Sequence, residues 1–543
     1  MTEVKRVFKV KGKPFYPVSG QAGNDAGYND SESEKYFKEV KLFNGNCLTI
    51  PVYWVKVEPE EGKFDFTTVD DLIASARRYG LKLILLWFAT WKNGNMDYVP
   101  GWVKTNPKRF KRVLSPTGGD LWVLSSYCKA NLEADKKAFA ALCKHLKAKD
   151  SAEQTVIAIQ VENEPAVSGT DRDYCPKALA AYESPVPAKL ITSMKTKGSG
   201  PAYDAWQKAG GKKSGAWLDI FDWPARDYFS AWSIATYIDA VAEAGKAVYD
   251  IPMYINVAIG MSGWRGPIPD EMFCSGKASP KVMDIYKWFT PHVDMICPDI
   301  EYNDSRAYEV LCAAYSRDDN PFFVPETPPT TNLFRAIADY NLIGYSWMGG
   351  FGNIAADDGS VRPEMQGPVD TVKCIVSAIP LLLKYQGTDK IHAIVQEEYT
   401  PAQWLDLDGY IGRVQFGAGR MPLTSKDWRH KKGDAMPKEQ ADSDIKPEYL
   451  RGRGLLFQVS RNEFYLIGCG WRLFLRPKSV PDRTKPLLSF RGESGPGRHL
   501  SVEEGYFDEK GKFVVIRERN KDPMSQGAWV EGDIGVLRVI MCD

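Results

Sequence analysis

The chain has 543 residues and a formal net charge of +1, with 44% hydrophobic and 26% charged residues. That length supports two or three domains around a large core, and the balanced charge excludes an overall field that gathers nucleic acid or anionic lipid. The ten cysteines include no Cys-x-x-Cys pair and the five histidines no His-x-x-x-His, so reduced buried thiols are expected, and no metal or other cofactor. No apolar run is long enough to span a bilayer, and the opening residues 1–6 lack an apolar leader core. A soluble, cytoplasmic protein is therefore expected; a leader removed beforehand would change the compartment but not the chemistry.

Taken in order, Val7 to Val10 and Lys13 to Phe15 read as a lead-in hairpin turning at Lys11-Gly12. Residues 15–21 form a first strand ending in polar Ser19 and Gln21, and residues 32–42 a helix. Residues 47–54 form the second strand, followed by a turn-rich loop. Thr67 with Asp70 resembles a capping box opening a helix that Gly80 closes. Residues 81–88 form the third strand, and Phe139, Leu142, Cys143 and Leu146 mark the next helix. The apolar run Thr155 to Ile159 is the fourth strand, a buried one rich in β-branched residues, which leads into Gln160-Val161-Glu162-Asn163-Glu164-Pro165. A helix over 231–249 precedes a fifth strand at 253–258. The sixth lies at 293–300, the seventh at 322–326 and the eighth at 342–347.

Strands this apolar, alternating with helices, point to an α/β (β/α)₈ barrel over residues 1–385. A doubly wound open sheet finds no Gly-x-Gly-x-x-Gly after the first strand to support it. The fourth connection, about 168–223, is enlarged and is expected to wall the mouth of the barrel. Residues 386–390 read as a linker. Beyond it the pattern shifts to period two, as in residues 410–416 and 512–517, which predicts a C-terminal antiparallel β-sandwich over 391–543. The charged stretch 426–446 reads as an exposed loop.

Polar residues at strand C-termini converge on the mouth of such a barrel. Glu164 follows strand four and Glu326 ends strand seven. Two facing carboxyl groups are what glycoside hydrolysis requires: one protonates the leaving oxygen while the other attacks the anomeric carbon. Asn-Glu-Pro by itself is equally a capped loop end, and the proline-flanked Glu326 equally a surface turn. Their joint placement on two strands of one barrel is what favours chemistry. By position, Asn163 can bind a sugar 2-hydroxyl, and Trp347 can offer a flat face to the sugar ring. Trp87, Trp91, Tyr53, Gln21 and Asn256 are candidate pocket walls or hydroxyl contacts, with plain packing the competing reading for each. Asp299 or Glu301 competes for a place at the mouth, Lys92 can reach a hydroxyl, and Trp264 can flank the aglycone.

Val52-Tyr53-Trp54, Glu58-Pro59 through Gly62, Phe64-Asp65-Phe66 and Gln160-Val161-Glu162-Asn163-Glu164 together resemble glycoside hydrolase family 35, among the retaining (β/α)₈ hydrolases of clan A. Leu86 to Gly94 looks like a bacterial branch of that family with a β-rich C-terminal domain. The resemblance implies Glu164 as acid/base, Glu326 as nucleophile, and Tyr302 as the group that orients Glu326. The sequence departs from the family at Val57, where histidine is usual, and at Pro165-Ala166, where Tyr-Gly is common. The implied activity is an exo-acting retaining β-galactosidase acting on an oligosaccharide or glycoside, with neither nucleic acid nor membrane as partner. Homo-oligomerisation is compatible with the sequence. Another clan A β-glycosidase (a β-glucosidase, an endo-glucanase or a mannanase) and a catalytically silent carbohydrate-binding protein are the alternatives.

Overall fold

The computed structural model describes residues 7–259, 274–301, 304–397, 402–416, 451–479, 499–519, 528–530 and 535–542. Tyr302, Trp264 and the stretch 426–446 lie outside the described residues.

Eight parallel strands close into a barrel. They are Val18–Gln21 (β1), Cys47–Tyr53 (β2), Lys82–Lys92 (β3), Val156–Asn163 (β4), Met253–Ala258 (β5), Met295–Asp299 (β6), Val324–Thr327 (β7) and Tyr345–Trp347 (β8). Every residue of β2 and of β4 is buried, as expected of strands covered on both faces. The main helices that follow them in turn are Asp30–Leu42 (α1), Thr67–Tyr79 (α2), Lys129–Asp150 (α3), Ala225–Lys246 (α4), Met283–Phe289 (α5), Ser305–Tyr315 (α6), Asn332–Asp339 (α7) and Gln366–Tyr385 (α8).

The barrel interior is layered. At the N-terminal end Cys47, Ile84, Tyr254, Met295 and Phe323 form an apolar floor. Phe8, from the lead-in hairpin of Phe8–Val10 and Lys13–Phe15, plugs it with an edge-on contact to Phe323, ring centroids 5.5 Å apart. Above the floor a chain of hydroxyls runs from Ser19 through Thr49 to Ser346, at 2.9 and 2.8 Å. Higher still the interior carries amides and carboxyl groups.

Several local expectations change. β3 runs on to Lys92 through a register shift between Trp87 and Lys92. The third connection adds a short helix, Gly101–Lys104, and a ribbon of Arg112–Leu114 with Asp120–Leu124. Thr67 is not a capping residue: the cap position is Phe66, and Asp65 accepts the Thr67 N–H at 2.9 Å instead. Gly80 does close α2, at a φ of 68°. The enlarged fourth connection folds into short helices, Pro176–Glu183, Ala188–Lys197, Pro201–Lys208 and Trp217–Phe221. They are too short for an apolar period to stand out in the sequence. Trp217 packs them against α4, edge-on to Phe229 and tilted against Trp232.

Two antiparallel sheets follow α8. The strands are Ile391–Val395 (β9), Ala402–Leu407 (β10), Tyr410–Phe416 (β11), Arg453–Ser460 (β12), Glu463–Cys469 (β13), Trp471–Pro477 (β14), His499–Phe507 (β15), Phe513–Glu518 (β16), Ala528–Val530 (β17) and Val536–Met541 (β18). One sheet has the order β9-β12-β13-β18-β15-β16 and the other β10-β11-β14-β17. Alternate side chains of the first sheet serve two cores. Leu456, Phe464 and Leu466 meet Val414, Trp471 and Leu473 of the second sheet. Their neighbours Leu455, Phe457, Tyr465 and Ile467 join the core of the barrel helices. The central strands of the sheet are thus buried on both faces, which ties the tail to the barrel.

Arg453 sits in that seam, 1% exposed. Its guanidinium donates to the Thr371 hydroxyl at 2.7 Å and to the Gly367 carbonyl at 3.1 Å, both on α8. Among the described residues no helix is long and apolar enough to cross a membrane. Replacing Arg453 with alanine removes the two bonds to α8 and opens a cavity. We expect a loss of about 2–4 kcal/mol in urea-induced unfolding.

Candidate active site

β4 ends in strained backbone. Glu162 and Glu164 hold φ values of +65° and +46° on either side of Asn163, a region that costs a residue other than glycine about 1–3 kcal/mol. The surroundings hold both residues in place. A Glu162 carboxylate oxygen accepts the Trp91 backbone N–H at 2.7 Å, and the Glu164 backbone N–H donates to Asn256 Oδ1 at 2.8 Å. The outcome is that Glu162 points into the core while Glu164 reaches the mouth.

There Glu164 meets Glu326 and a third carboxyl group, Asp299 at the end of β6. Carboxylate oxygens of the three all lie within 4.8 Å of one another. Asp299 is in register with Glu326 across the β6–β7 pair. Asn256, on β5, spans two of the three, because its Nδ2 also donates to Asp299 Oδ2 at 2.8 Å. Gln21 donates its amide to Glu326. Asn93 donates to Glu164 and accepts from the Lys92 ammonium. Three carboxyl oxygens this close are also a donor set that a hard cation accepts.

Electrostatics follow from this crowding. Burial, then repulsion from Glu164, pushes the Glu326 carboxyl up to about 8, against the opposing pull of Lys92 and the Gln21 hydrogen bond. Glu164 is raised by burial, with Lys92 again opposing. Asp299 is raised well above the usual aspartate range by burial and then by Glu326, Glu164 and Glu301. Behind the site Glu162 and Asp135 form a second buried carboxyl pair, Glu162 raised by burial and then by its neighbour's charge. Asp135 accepts from the Thr90 hydroxyl at 2.7 Å and from Trp87 Nε1 at 3.1 Å.

The structure brings Glu164, Glu326, Asn163, Gln21 and Asn256 together and sends other expected residues elsewhere. Asn163 is buried, and neither of its amide atoms meets a hydrogen-bond partner among the described residues; the same holds for Gln21 Oε1 and Asp299 Oδ1. Such orphaned groups beside the carboxyl trio suit a hydroxyl-rich ligand. Asn256 uses both ends of its amide on protein, holding the Asp299 carboxyl and the Glu164 backbone N–H rather than sugar. Trp87 faces outward, onto Phe139 and Asp135 of α3. Trp91 also faces outward, edge-on to Tyr237 of α4 with centroids 4.9 Å apart. Trp347 is fully buried against Phe43 and Phe351, its indole N–H given to the Gly349 carbonyl at 2.7 Å. None of the three offers a face to the mouth.

Tyr53 also leaves the expected set. Its hydroxyl is used twice on the loop after β1, donating to the Asn24 carbonyl at 2.6 Å and accepting the Gly27 N–H at 3.1 Å. Asn93, absent from the expected set, belongs to the site; an asparagine in a Lys-Asn-Gly turn gave no signal beyond the turn itself. Glu58, of the Glu-Pro motif, is structural, accepting from Trp54 Nε1 at 2.9 Å and the Gly62 N–H at 2.7 Å.

Residues 28–195 match the family model of glycoside hydrolase family 42, described as β-galactosidase. Residues 373–531 match a domain of unknown function, DUF5597. The likeness drawn from the motifs is therefore corrected from family 35 to family 42, and the tail carries the DUF5597 signature. Neither match reaches half of the chain; the first contains Glu164 and ends before Glu326. No curated protein matches the chain. Among solved structures, a β-galactosidase from Bacillus circulans sp. alkalophilus is 14% identical over 68% of this chain and 57% of its own, with a TM-score of 0.47. The cold-adapted β-galactosidase of Rahnella sp. R3 is 14% identical over 72% and 59%, at 0.47. The catalytic domain of a β-amylase from Paenibacillus polymyxa is 15% identical over 66% and 97%, at 0.45. The chain thus spans about six tenths of the length of these two β-galactosidases. Likeness at this level assigns no substrate.

A carboxyl group whose folded pKa is raised stabilises the fold fully below its ordinary value, and that stability is lost as pH rises through the folded value. For Glu326 the window runs from 4.5 to about 8. Glu326→Gln removes the ionisation. Its thermal midpoint is expected to exceed that of the wild type at about pH 9, and the gap to close toward about pH 5.

Proposed function

We propose that this chain is an exo-acting, retaining β-galactosidase that removes terminal β-linked galactose from an oligosaccharide or glycoside. The observation that carries the reading is the approach of Glu164 and Glu326 to within 4.8 Å at the C-terminal end of a closed barrel. Retaining enzymes hold their two carboxyl groups roughly 5–5.5 Å apart, whereas inverting ones leave room for a water between them. The family match over residues 28–195 supports the choice of sugar.

In this reading Glu326 is the nucleophile. Gln21 and Lys92 pull toward the ionised form that attacks, while burial and Glu164 raise its carboxyl to about 8, so the attacking form gains population as pH rises toward that value. Glu164 is the acid/base: burial and the charge of Glu301 favour its protonated form, and it gives its proton to the leaving oxygen. The Glu326 carboxylate bonds to the anomeric carbon as the glycosidic bond breaks. Glu164, now a carboxylate, takes a proton from water, whose oxygen displaces Glu326 and releases the sugar with retained configuration. Asn163, whose amide atoms meet no partner among the described residues, binds a hydroxyl in this reading, through a hydrogen bond that tightens in the transition state.

Glu326→Gly should lose hydrolysis and regain turnover with azide, giving the α-glycosyl azide; a β-azide product would reverse the two roles. Glu164→Ala should keep most activity on aryl glycosides with good leaving groups and lose about 10²–10⁴-fold on poor ones, measured as kcat/KM across a leaving-group series. Equal loss on all leaving groups would remove Glu164 from the acid role. A panel of p-nitrophenyl β-glycosides tests the sugar. Cleavage of the galactoside, alone or with the α-L-arabinopyranoside, is expected; preference for the glucoside or mannoside would replace galactose.

A further inference from the structure

Two carboxyl groups suffice for the reaction proposed above, yet the mouth holds three. Asp299 is 3% exposed, and its oxygens lie within 4.8 Å of oxygens of both Glu164 and Glu326. One oxygen, Oδ2, accepts from Asn256. The other, Oδ1, faces no donor among the described residues. Charged and titratable groups around Asp299 come from every side: Glu164 on β4, Glu326 on β7, Glu301 beyond β6, and the buried phenols of Tyr254 and Tyr315. None of these is a cation. Lys92 acts on Glu164 and Glu326, and Lys277 on Glu164. A carboxyl group with one donor, one bare oxygen and two acidic neighbours has only one inexpensive state in a buried place: it keeps its proton.

Kept, that proton has a use. Oxygens of Asp299 and Glu164 lie within 4.8 Å of each other, close enough for one proton to link them. Two carboxyl groups bond to each other only through a proton, and Asn256, by donating to Oδ2, leaves the hydroxyl of a neutral Asp299 free to be the donor. We propose that Asp299 is a positioning residue that stays neutral throughout the cycle and donates a hydrogen bond to Glu164, strongest when Glu164 is a carboxylate. In the first step the Glu164 proton goes to the leaving oxygen, and the new carboxylate is stabilised by the Asp299 hydroxyl without proton transfer from it. In the second step Glu164 takes its proton from water and Asp299 again keeps its own. Asp299 thus tunes how acidic Glu164 is, and Asn256 sets the direction of the donor. This inference rests on the acid/base role of Glu164 given above.

The test compares Asp299→Asn with Asp299→Ala. Asparagine is neutral, can accept from Asn256 and can donate to Glu164. Its kcat/KM should stay within about fivefold of the wild type, with the alkaline limb of the pH profile in place. Alanine removes the donor. It should lower kcat/KM about 10- to 100-fold and move the alkaline limb upward by about one pH unit, because Glu164 then holds its proton more tightly. A merely structural role would lower activity without moving the limb. If Asp299 works as an anion, both variants shift the limb downward, and the proposal is wrong. It is equally wrong if a chelator abolishes wild-type activity and a divalent cation restores it, since a metal on the trio would strip the proton.

A second readout needs no turnover. At about pH 6 the infrared difference between wild type and Asp299→Asn should contain the C=O stretch of a protonated carboxyl group that shifts on ¹³C-aspartate labelling. Its absence overturns the proposal. Its presence in a protein that cleaves none of the glycosides would sink the enzymatic reading and leave the neutral Asp299 standing.

Discussion

Three carboxyl groups confined in a small buried volume are the constraint around which the C-terminal end of this barrel is arranged. Burial and mutual repulsion both disfavour charge there, so the ordinary state of three carboxylates is excluded. The surrounding residues act as counterweights of graded strength. Gln21 and Lys92 pull on Glu326, the Lys92–Asn93 relay pulls on Glu164, and Asn256 donates to Asp299. The grading distinguishes the three groups chemically although they share one site. It is the device by which neighbouring acids are driven to different protonation states at one pH.

Strain at the end of β4 belongs to the same arrangement. Two left-handed residues flank Asn163, and each is held by a specific hydrogen bond, one from the Trp91 backbone and one to Asn256. The alternation of a regular strand would place Glu162 and Glu164 on one face. The two unusual dihedrals separate them, sending Glu162 to the buried pair with Asp135 and Glu164 to the mouth. Backbone conformation therefore decides which glutamate of the Glu-Asn-Glu motif faces the ligand.

The tail is fastened to the barrel rather than strung behind it. A sheet that feeds alternate side chains into two cores cannot leave either partner without exposing apolar surface, and Arg453 adds directional bonds to the contact. Together α8, the six-stranded sheet and the four-stranded sheet make successive layers. The end of the barrel that carries the carboxyl groups is held by its own loops. Glu39 of α1, for instance, accepts the backbone N–H groups of Ile354 and Ala355 after β8.

The strand–helix order, the barrel and the β-rich tail could be read from the chain, because runs such as Thr155 to Ile159 are apolar on both faces and the tail alternates with period two. Glu164 and Glu326 were legible for the same reason: a strand end in a parallel barrel is a known place, and a carboxyl group there stands out against an apolar run. Sequence position did not reveal the direction in which a side chain points. Trp87 and Trp91 lie on the strand beside the site, yet the pleat and the register shift within β3 turn both rings outward. Tyr53 and Trp347 have their polar atoms spent on loops that are local only in space. Asp299 became a member of the site through its register with Glu326, a pairing between strands 27 residues apart that no local pattern encodes. By itself, then, the sequence determined which segments are buried and where their acids fall, since burial follows composition and period. Only the tertiary structure decided which of those acids meet and which amides and cations restrain them, since that depends on strand order, register and twist summed around a closed barrel.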